Sequence, residues 1–291
     1  MIYKFRKDIE SDFEGYQELI DFYHQTEKVF FDEVVVDFSN VFWFEANLCA
    51  VLGAILVELK SKLNNIKFIR LNDKIKNIFL RNDFLSYSSS EKLVNFGQTT
   101  IKYRKFDSKD EKYFMHYVNG ELLSKSDLPK MTIQLKKKIS ESIFEIFVNS
   151  VSHSETILGI FTCGQYFPTK ERIDFTIVDR GIGIKEKIRK EIGEKMQGDE
   201  AIAWALEERN TTRKGDIPGG LGLKLIKEFI KLNEGRIQIV SNDGFCELSG
   251  NEVFQQVFNL TFPGTLVNIR FNIADTKRYK MSDEVDENEI F

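Results

Sequence analysis

Three polar motifs, each fused to a periodic apolar run, constrain this chain most. Along residues 139–153, Ile139, Ile143, Ile146, Phe147 and Val151 recur at helical spacing, and Glu145, Asn149 and His153 follow one another at steps of four. Four residues turn an α-helix by about 400°, so a carboxylate, a carboxamide and an imidazole form one slowly drifting stripe beside a buried face. The second motif, ERIDFTIVD (171–179), alternates Ile173, Phe175 and Ile177 against Asp174 and Thr176, the pattern of a half-buried strand, before Gly181 and Gly183 break it. The third, NTTRKGDIPGG (210–220), runs into LGLKLIKEFIKLN, where Leu221, Leu225, Ile226, Phe229, Ile230 and Leu232 supply a core face and Gly219, Gly220 and Gly222 open the helix.

Together these residue types suit Mg-ATP. The Asn149 amide oxygen is a hard ligand for Mg²⁺, the Glu145 carboxylate can take a proton from water or a hydroxyl, and His153 can donate to a phosphate. Asp179, at a strand end above a glycine turn, can accept a hydrogen bond from the exocyclic amine of adenine. Glycines let backbone come close to the base, and a glycine-rich helix start offers free N–H groups to phosphates. Each motif also has a bland alternative: a solvated helix face, an Asp179 that caps the following element, and a plain flexible loop. A dinucleotide fingerprint would need a third glycine at position 186, where Glu186 stands, and no glycine is followed by the Lys and Ser or Thr of a P-loop.

At these residues, across Leu128 to Ala274, the chain resembles the GHKL superfamily of gyrase B, the heat-shock chaperone, histidine kinases and MutL. Glu145 and Asn149 match that family's N-box, Asp179, Gly181 and Gly183 its first glycine box, and Gly220 and Gly222 its second. The resemblance implies an α/β sandwich with a mixed sheet, covered on one face by helices, and ATP between those helices and a mobile lid. It implies Asn149 on Mg²⁺, Asp179 on adenine and Glu145 as general base, with His153, Gly219 and Leu221 also near the nucleotide. Thr211, Thr212, Arg213 and Lys214 would lie on the lid, Thr212 and Lys214 within reach of the phosphates. The Glu145–Asn149–His153 spacing and the run AIAWALEERNTTR before GGLGL look most like anti-sigma-factor serine kinases and stand-alone ATPase domains. That leaves three readings: an ATPase, a serine/threonine kinase acting on a separate partner, and an ATP-gated binding module.

Histidine autophosphorylation is not expected, because His24 lies far upstream with no helical hairpin around it. Seventeen residues follow Ala274, too few for the second domain from which relatives supply a lysine to the γ-phosphate, so a partner or Lys214 would stand in.

Upstream, VFFDEVVVDF, a buried helix around 46–62, IKFIRL and DKIKNIFLRNDF alternate strand and helix, as a parallel α/β unit does. VVVDFSNVFWFEANLCAVLGAILVEL with LNNIKFIRL resembles a STAS domain, although Glu45, Ala46 and Asn47 stand where a regulatory STAS domain presents a phosphorylatable hydroxyl. TTIKYRKF and KYFMHYVNGEL read as two strands joined by a charged turn. The expected organisation is therefore a STAS-like domain at 1–90, connecting strands at 91–126, the ATP-binding domain at 127–275 and an acidic, disordered tail at 276–291.

Composition narrows the partners. A net charge of −4 argues against a general nucleic-acid binder. Cys49, Cys163 and Cys246 show no metal-ligand spacing and fit a reducing cytoplasm. No apolar core follows the first basic residues, and LCAVLGAILV is too short to span a bilayer, so neither a leader nor a membrane anchor is expected. A protein partner is expected, and homodimerisation is left open.

Overall fold

The computed structural model describes residues 1–85, 99–153, 156–207 and 221–284, and for His153 and 221–223 the backbone alone. Ten strands are described: β1 (Ile2–Lys4), β2 (Glu33–Asp37), β3 (Asn65–Ile69), β4 (Thr100–Phe106), β5 (Lys130–Met131), β6 (Ile160–Phe167), β7 (Arg172–Asp179), β8 (Arg236–Ser249), β9 (Glu252–Asn272) and β10 (Arg278–Tyr279). The α-helices are α1 (Phe13–Thr26), α2 (Cys49–Ser61), α3 (Asp73–Arg81), α4 (Glu111–Tyr117), α5 (Ile133–His153), α6 (Gly183–Ile192), α7 (Gly198–Leu206) and α8 (Leu221–Leu232). Among the described residues no helix is long and apolar enough to cross a membrane.

Local chemistry explains several of the boundaries. Asp12 caps α1 by accepting the Gly15 N–H, and Asn72 caps α3 by accepting the Ile75 N–H. Gln197 and Glu200 form a reciprocal capping box at the start of α7, and Gly193, at φ 82°, ends α6 in the left-handed conformation.

The parallel and antiparallel pairing expected of the fold is partitioned between sheets. β1, β2 and β3 form a parallel three-stranded sheet, and β5 and β10 a parallel pair, so the start of the tail expected to be disordered is instead ordered, with Tyr279 buried. The five-stranded sheet, in the order β4-β6-β7-β9-β8, is antiparallel throughout, so the sheet that carries Asp179 is not itself mixed. This is an α/β sandwich in which α5 and α8 cover one face of that sheet. Ile139, Ile143, Phe147, Ile226 and Phe229 bury there against Ile173, Phe175, Ile177 and Ile269.

The second face is covered too. α1 and α2 lie over it, and Tyr16, Leu52, Ile55 and Phe38 share one hydrophobic core with Phe161, Val178, Val240, Phe262 and Leu266. α2 is apolar nearly all round, as a helix packed on both sides must be. Its approach, Glu45–Asn47, is fully buried. There Asn47 Nδ2 lies 2.8 Å from Ser11 Oγ, 3.1 Å from Thr176 Oγ1 and 3.3 Å from Asn268 Oδ1, and the Gln165 side chain accepts the Ala46 N–H at 2.6 Å.

Two expectations are corrected. The half-buried strand 171–179 is buried on both faces: Asp174 and Thr176, the positions assigned to water, are 0% exposed. Their polarity is met by Arg172 (2.9 Å) and Arg270 (2.8 Å) on Asp174 and by Asn268 (2.9 Å) on Thr176. Of the two strands expected at 99–122, only β4 forms; KYFMHYVNGEL is α4 followed by a π-helical turn at Val118–Leu122. Phe114, Tyr117 and Val118 occupy one helical face, and burying that face against Phe106 and Phe147 outweighs the strand propensity of the aromatics.

Candidate functional site

The site grows from the carboxyl end of β7. Asp179, the last residue of that strand, is 1% exposed. Its Oδ1 accepts the Gly181 N–H at 2.9 Å and the Thr265 N–H at 3.3 Å, and the Ser150 hydroxyl also hydrogen-bonds the carboxyl. Burial pushes the Asp179 carboxyl up to about 6, against the pull of those three donors and of Arg180. A carboxylate offers about four acceptor positions. Three are engaged from within the chain, which leaves capacity for one more donor such as an adenine amine.

Ser150 ties α5 to this point. Its hydroxyl on Asp179 brings the last turns of α5 over the end of β7, so Asn149 reaches the same end, and Glu145 lies one turn earlier, about 6 Å along the axis. Both side chains are half-buried. Glu145 makes no hydrogen bond or ion pair among the described residues, whereas Asn149 does have a partner. A carboxylate left unengaged beside a carboxamide can act on a bound water or hydroxyl. His153 closes α5, but its side chain lies outside the described residues.

Two glycines shape the turn. Gly183 opens α6 at φ 78°, and a Cβ there would fall 2.3 Å from Asn242 Oδ1. That side chain accepts the Lys185 N–H (3.1 Å), and Ser241 Oγ accepts the Ile184 N–H (2.8 Å), so β8 supplies the cap of α6. Gly264, at φ 120°, brings β9 so close that a Cβ would lie 2.1 Å from the Asp179 carbonyl oxygen. This contact delivers the Thr265 N–H to Asp179.

The remaining predicted residues fall unevenly. Leu221 and Gly222 stand in the first turn of α8, which packs along α5, while Thr212, Lys214, Gly219 and Gly220, with Thr211 and Arg213, lie outside the described residues. Sequence reasoning missed Ser150, Gly264, Thr265 and Arg180. A glycine inside a strand marks close backbone approach, which is the signal that could have found Gly264 and its neighbour; Ser150 carries no such mark. Among the described residues no group of three or more His, Cys, Asp or Glu could hold a metal. The donors at this site suit Mg²⁺ held chiefly by phosphates and water, with an amide oxygen such as that of Asn149 added.

Comparison with known proteins agrees with this geometry. Residues 134–265 match the family described as histidine kinase-, DNA gyrase B-, and HSP90-like ATPase, a span that runs from the start of α5 to Thr265. No curated protein was found to match the chain. Residues 134–265 carry a HATPase_c domain of the GHKL superfamily, a module that supports ATP binding.

Proposed function

We propose that the chain is an Mg-ATP-binding ATPase that works as a nucleotide-gated regulatory or assembly component. The observation that carries this reading is the buried Asp179 carboxyl, three of its acceptor positions filled from within, beneath the helix that bears Asn149 and Glu145. Asp179 accepts the adenine amine, and its burial makes that single hydrogen bond selective. Asn149 holds Mg²⁺, which when bound neutralises phosphate charge. Glu145 takes the proton from an attacking water.

Gating rests on the family resemblance and on the composition of 209–220, which lies outside the described residues. Nucleotide phosphates order that segment through Thr212, Lys214 and the glycines 219, 220 and 222, and so change the surface shown to a protein partner. Residues 1–90, STAS-like in sequence, serve as a packing module: the buried Glu45–Asn47 stretch supports this, since those residues bond to β6 and β7. Limited proteolysis tests the gating. Mg-ATP protects cleavage sites within 209–220 if the reading holds; an identical cleavage rate with and without nucleotide contradicts it.

A second reading is a protein serine/threonine kinase in which Glu145 deprotonates a partner's hydroxyl. It is favoured by the four-residue steps from Glu145 to Asn149 to His153, all within α5. Transfer of labelled γ-phosphate to a copurifying protein supports it, and release of all label as inorganic phosphate supports the ATPase.

A further inference from the structure

At the opposite end of α5 lies a pocket of about 830 Å³ whose lining, among the described residues, includes Lys125, Lys130, Lys136, Arg278 and Lys280 and no carboxylate. From Lys136 to Asn149 is about 20 Å along the helix, so this space is separate from the Asp179 site. The pocket is built around the two-residue pair of β5 and β10, in which Lys130 stands directly opposite Arg278. Like charges in that position repel. Both are exposed, and neither they nor Lys136 has an ion-pair partner among the described residues.

Stability does not account for this arrangement. A two-residue ladder contributes little by itself. It is anchored by Tyr279, which is 8% exposed and donates its hydroxyl to the Asp275 carboxylate, and by the Thr132 N–H, which donates to the Tyr279 carbonyl at 3.0 Å. Thr132 also caps α5, its Oγ1 accepting the Leu135 N–H at 3.2 Å, so the positive end of a 21-residue helix adds to the field. Carboxylates also touch the rim, each held by hydrogen bonds: Glu284 accepts from Thr132 Oγ1 (2.6 Å) and the Met281 N–H (2.8 Å), Asp283 from Gln134 (3.0 Å) and Asp275 from the Tyr279 hydroxyl. The scaffold thus holds two cations side by side at the mouth of a concave, positively charged space.

We propose that this pocket binds a small molecule carrying two or more phosphoryl groups, held by Lys130, Lys136 and Arg278. Its volume is that of a small-molecule site. Among the described lining residues the single aromatic side chain, Tyr279, is buried and offers no ring face to a base, so recognition is by charge.

The test uses the full chain and inorganic tripolyphosphate, followed by calorimetry and thermal melting. Wild type is compared with the Lys130→Gln/Arg278→Gln double variant and with Lys137→Gln, an exposed lysine outside the pocket. The double variant should bind at least tenfold more weakly than wild type, and Lys137→Gln should bind as wild type does. Without ligand the double variant should melt no lower than wild type, since its substitutions remove a repulsion; this separates lost binding from lost folding. Equal affinity in wild type and double variant would overturn the proposal, as would absence of binding to wild type at millimolar tripolyphosphate. Tighter binding of a single-stranded oligonucleotide that displaces tripolyphosphate would also overturn it, by assigning the cations to a nucleic-acid backbone.

Discussion

Arg180, the residue directly after Asp179, reaches across the sheet to ion-pair with Glu58 on α2, its guanidinium lying 4.1 Å from the ring centre of Tyr23 and 5.0 Å from that of Phe262. The Arg180 side chain is 1% exposed, so the turn of the candidate site is fastened to α2 by a buried cation.

Removing the anion should be costly. Glu58→Ala strands a buried guanidinium and lowers stability by on the order of 2 kcal/mol at pH 7, a value reduced from that of a fully buried pair because Glu58 is partly exposed. Burial alone would raise the Glu58 carboxyl, but Arg180 and Lys62 hold it below its ordinary value. A depressed carboxylate stabilises the fold above its unfolded pKa and loses that contribution as pH falls through the folded one. The wild-type advantage over Glu58→Gln should therefore shrink below about pH 4. Urea denaturation across pH checks both statements.

Asp179 predicts the opposite slope. Its carboxyl is raised to about 6 by burial, so between about pH 4 and 6 the folded protein binds more protons than the unfolded chain. Stability without nucleotide is fullest at the acid end of this window and falls as pH rises through 6. Asp179→Asn, which keeps the acceptor for Gly181 and Thr265, should stabilise the nucleotide-free protein at pH 7 by up to about 3 kcal/mol. The gain should vanish near pH 4. Paired denaturation curves at the two pH values measure it.

The apolar face beneath α1 and α2 cannot stand in water. A fragment beginning at residue 99 would expose Phe161, Val178, Phe262 and Leu266, all buried in the full chain, together with the Asp174–Arg270 pair. Such a fragment should aggregate or lack a cooperative transition. Melting followed by circular dichroism decides this, and a sharp transition near that of the full chain would contradict the shared core.

Gly264→Ala should damage the nucleotide site without touching a ligand. The added Cβ meets the Asp179 carbonyl oxygen at 2.1 Å from a φ of 120°. Neither backbone can yield cheaply, so stability should fall by roughly 2 kcal/mol or more. ATP affinity should fall with it, because the Thr265 N–H is carried away from Asp179. Calorimetry with Mg-ATP and a melt of the apo variant report the two losses.

Periodicity made α5, α8 and β7 legible, because each has a local apolar rhythm that survives folding. It misjudged β7 at Asp174 and Thr176 because their partners, Arg270 and Asn268, lie nearly a hundred residues away and Asn47 more than a hundred. Alternation reports which residues are polar, not whether another segment will satisfy them. In KYFMHYVNGEL the spacing of Phe114, Tyr117 and Val118 was already helical, but aromatic content suggested a strand; only the Phe147 ring, 4.3 Å from Phe114, shows which signal wins. At the candidate site, Glu145, Asn149 and Asp179 could be proposed from their chemistry. Ser150 and Thr265 could not: one acts through a common hydroxyl and the other through a backbone N–H, which no residue type advertises.

The most direct test is ATP binding and turnover with Mg²⁺ by wild type, Asp179→Asn and Glu145→Ala. The account predicts that Asp179→Asn loses at least tenfold in ATP affinity, whereas Glu145→Ala binds ATP as wild type does and loses turnover by a factor of about 10² or more. Absence of ATP binding by the wild type, or unchanged turnover in Glu145→Ala, would contradict it.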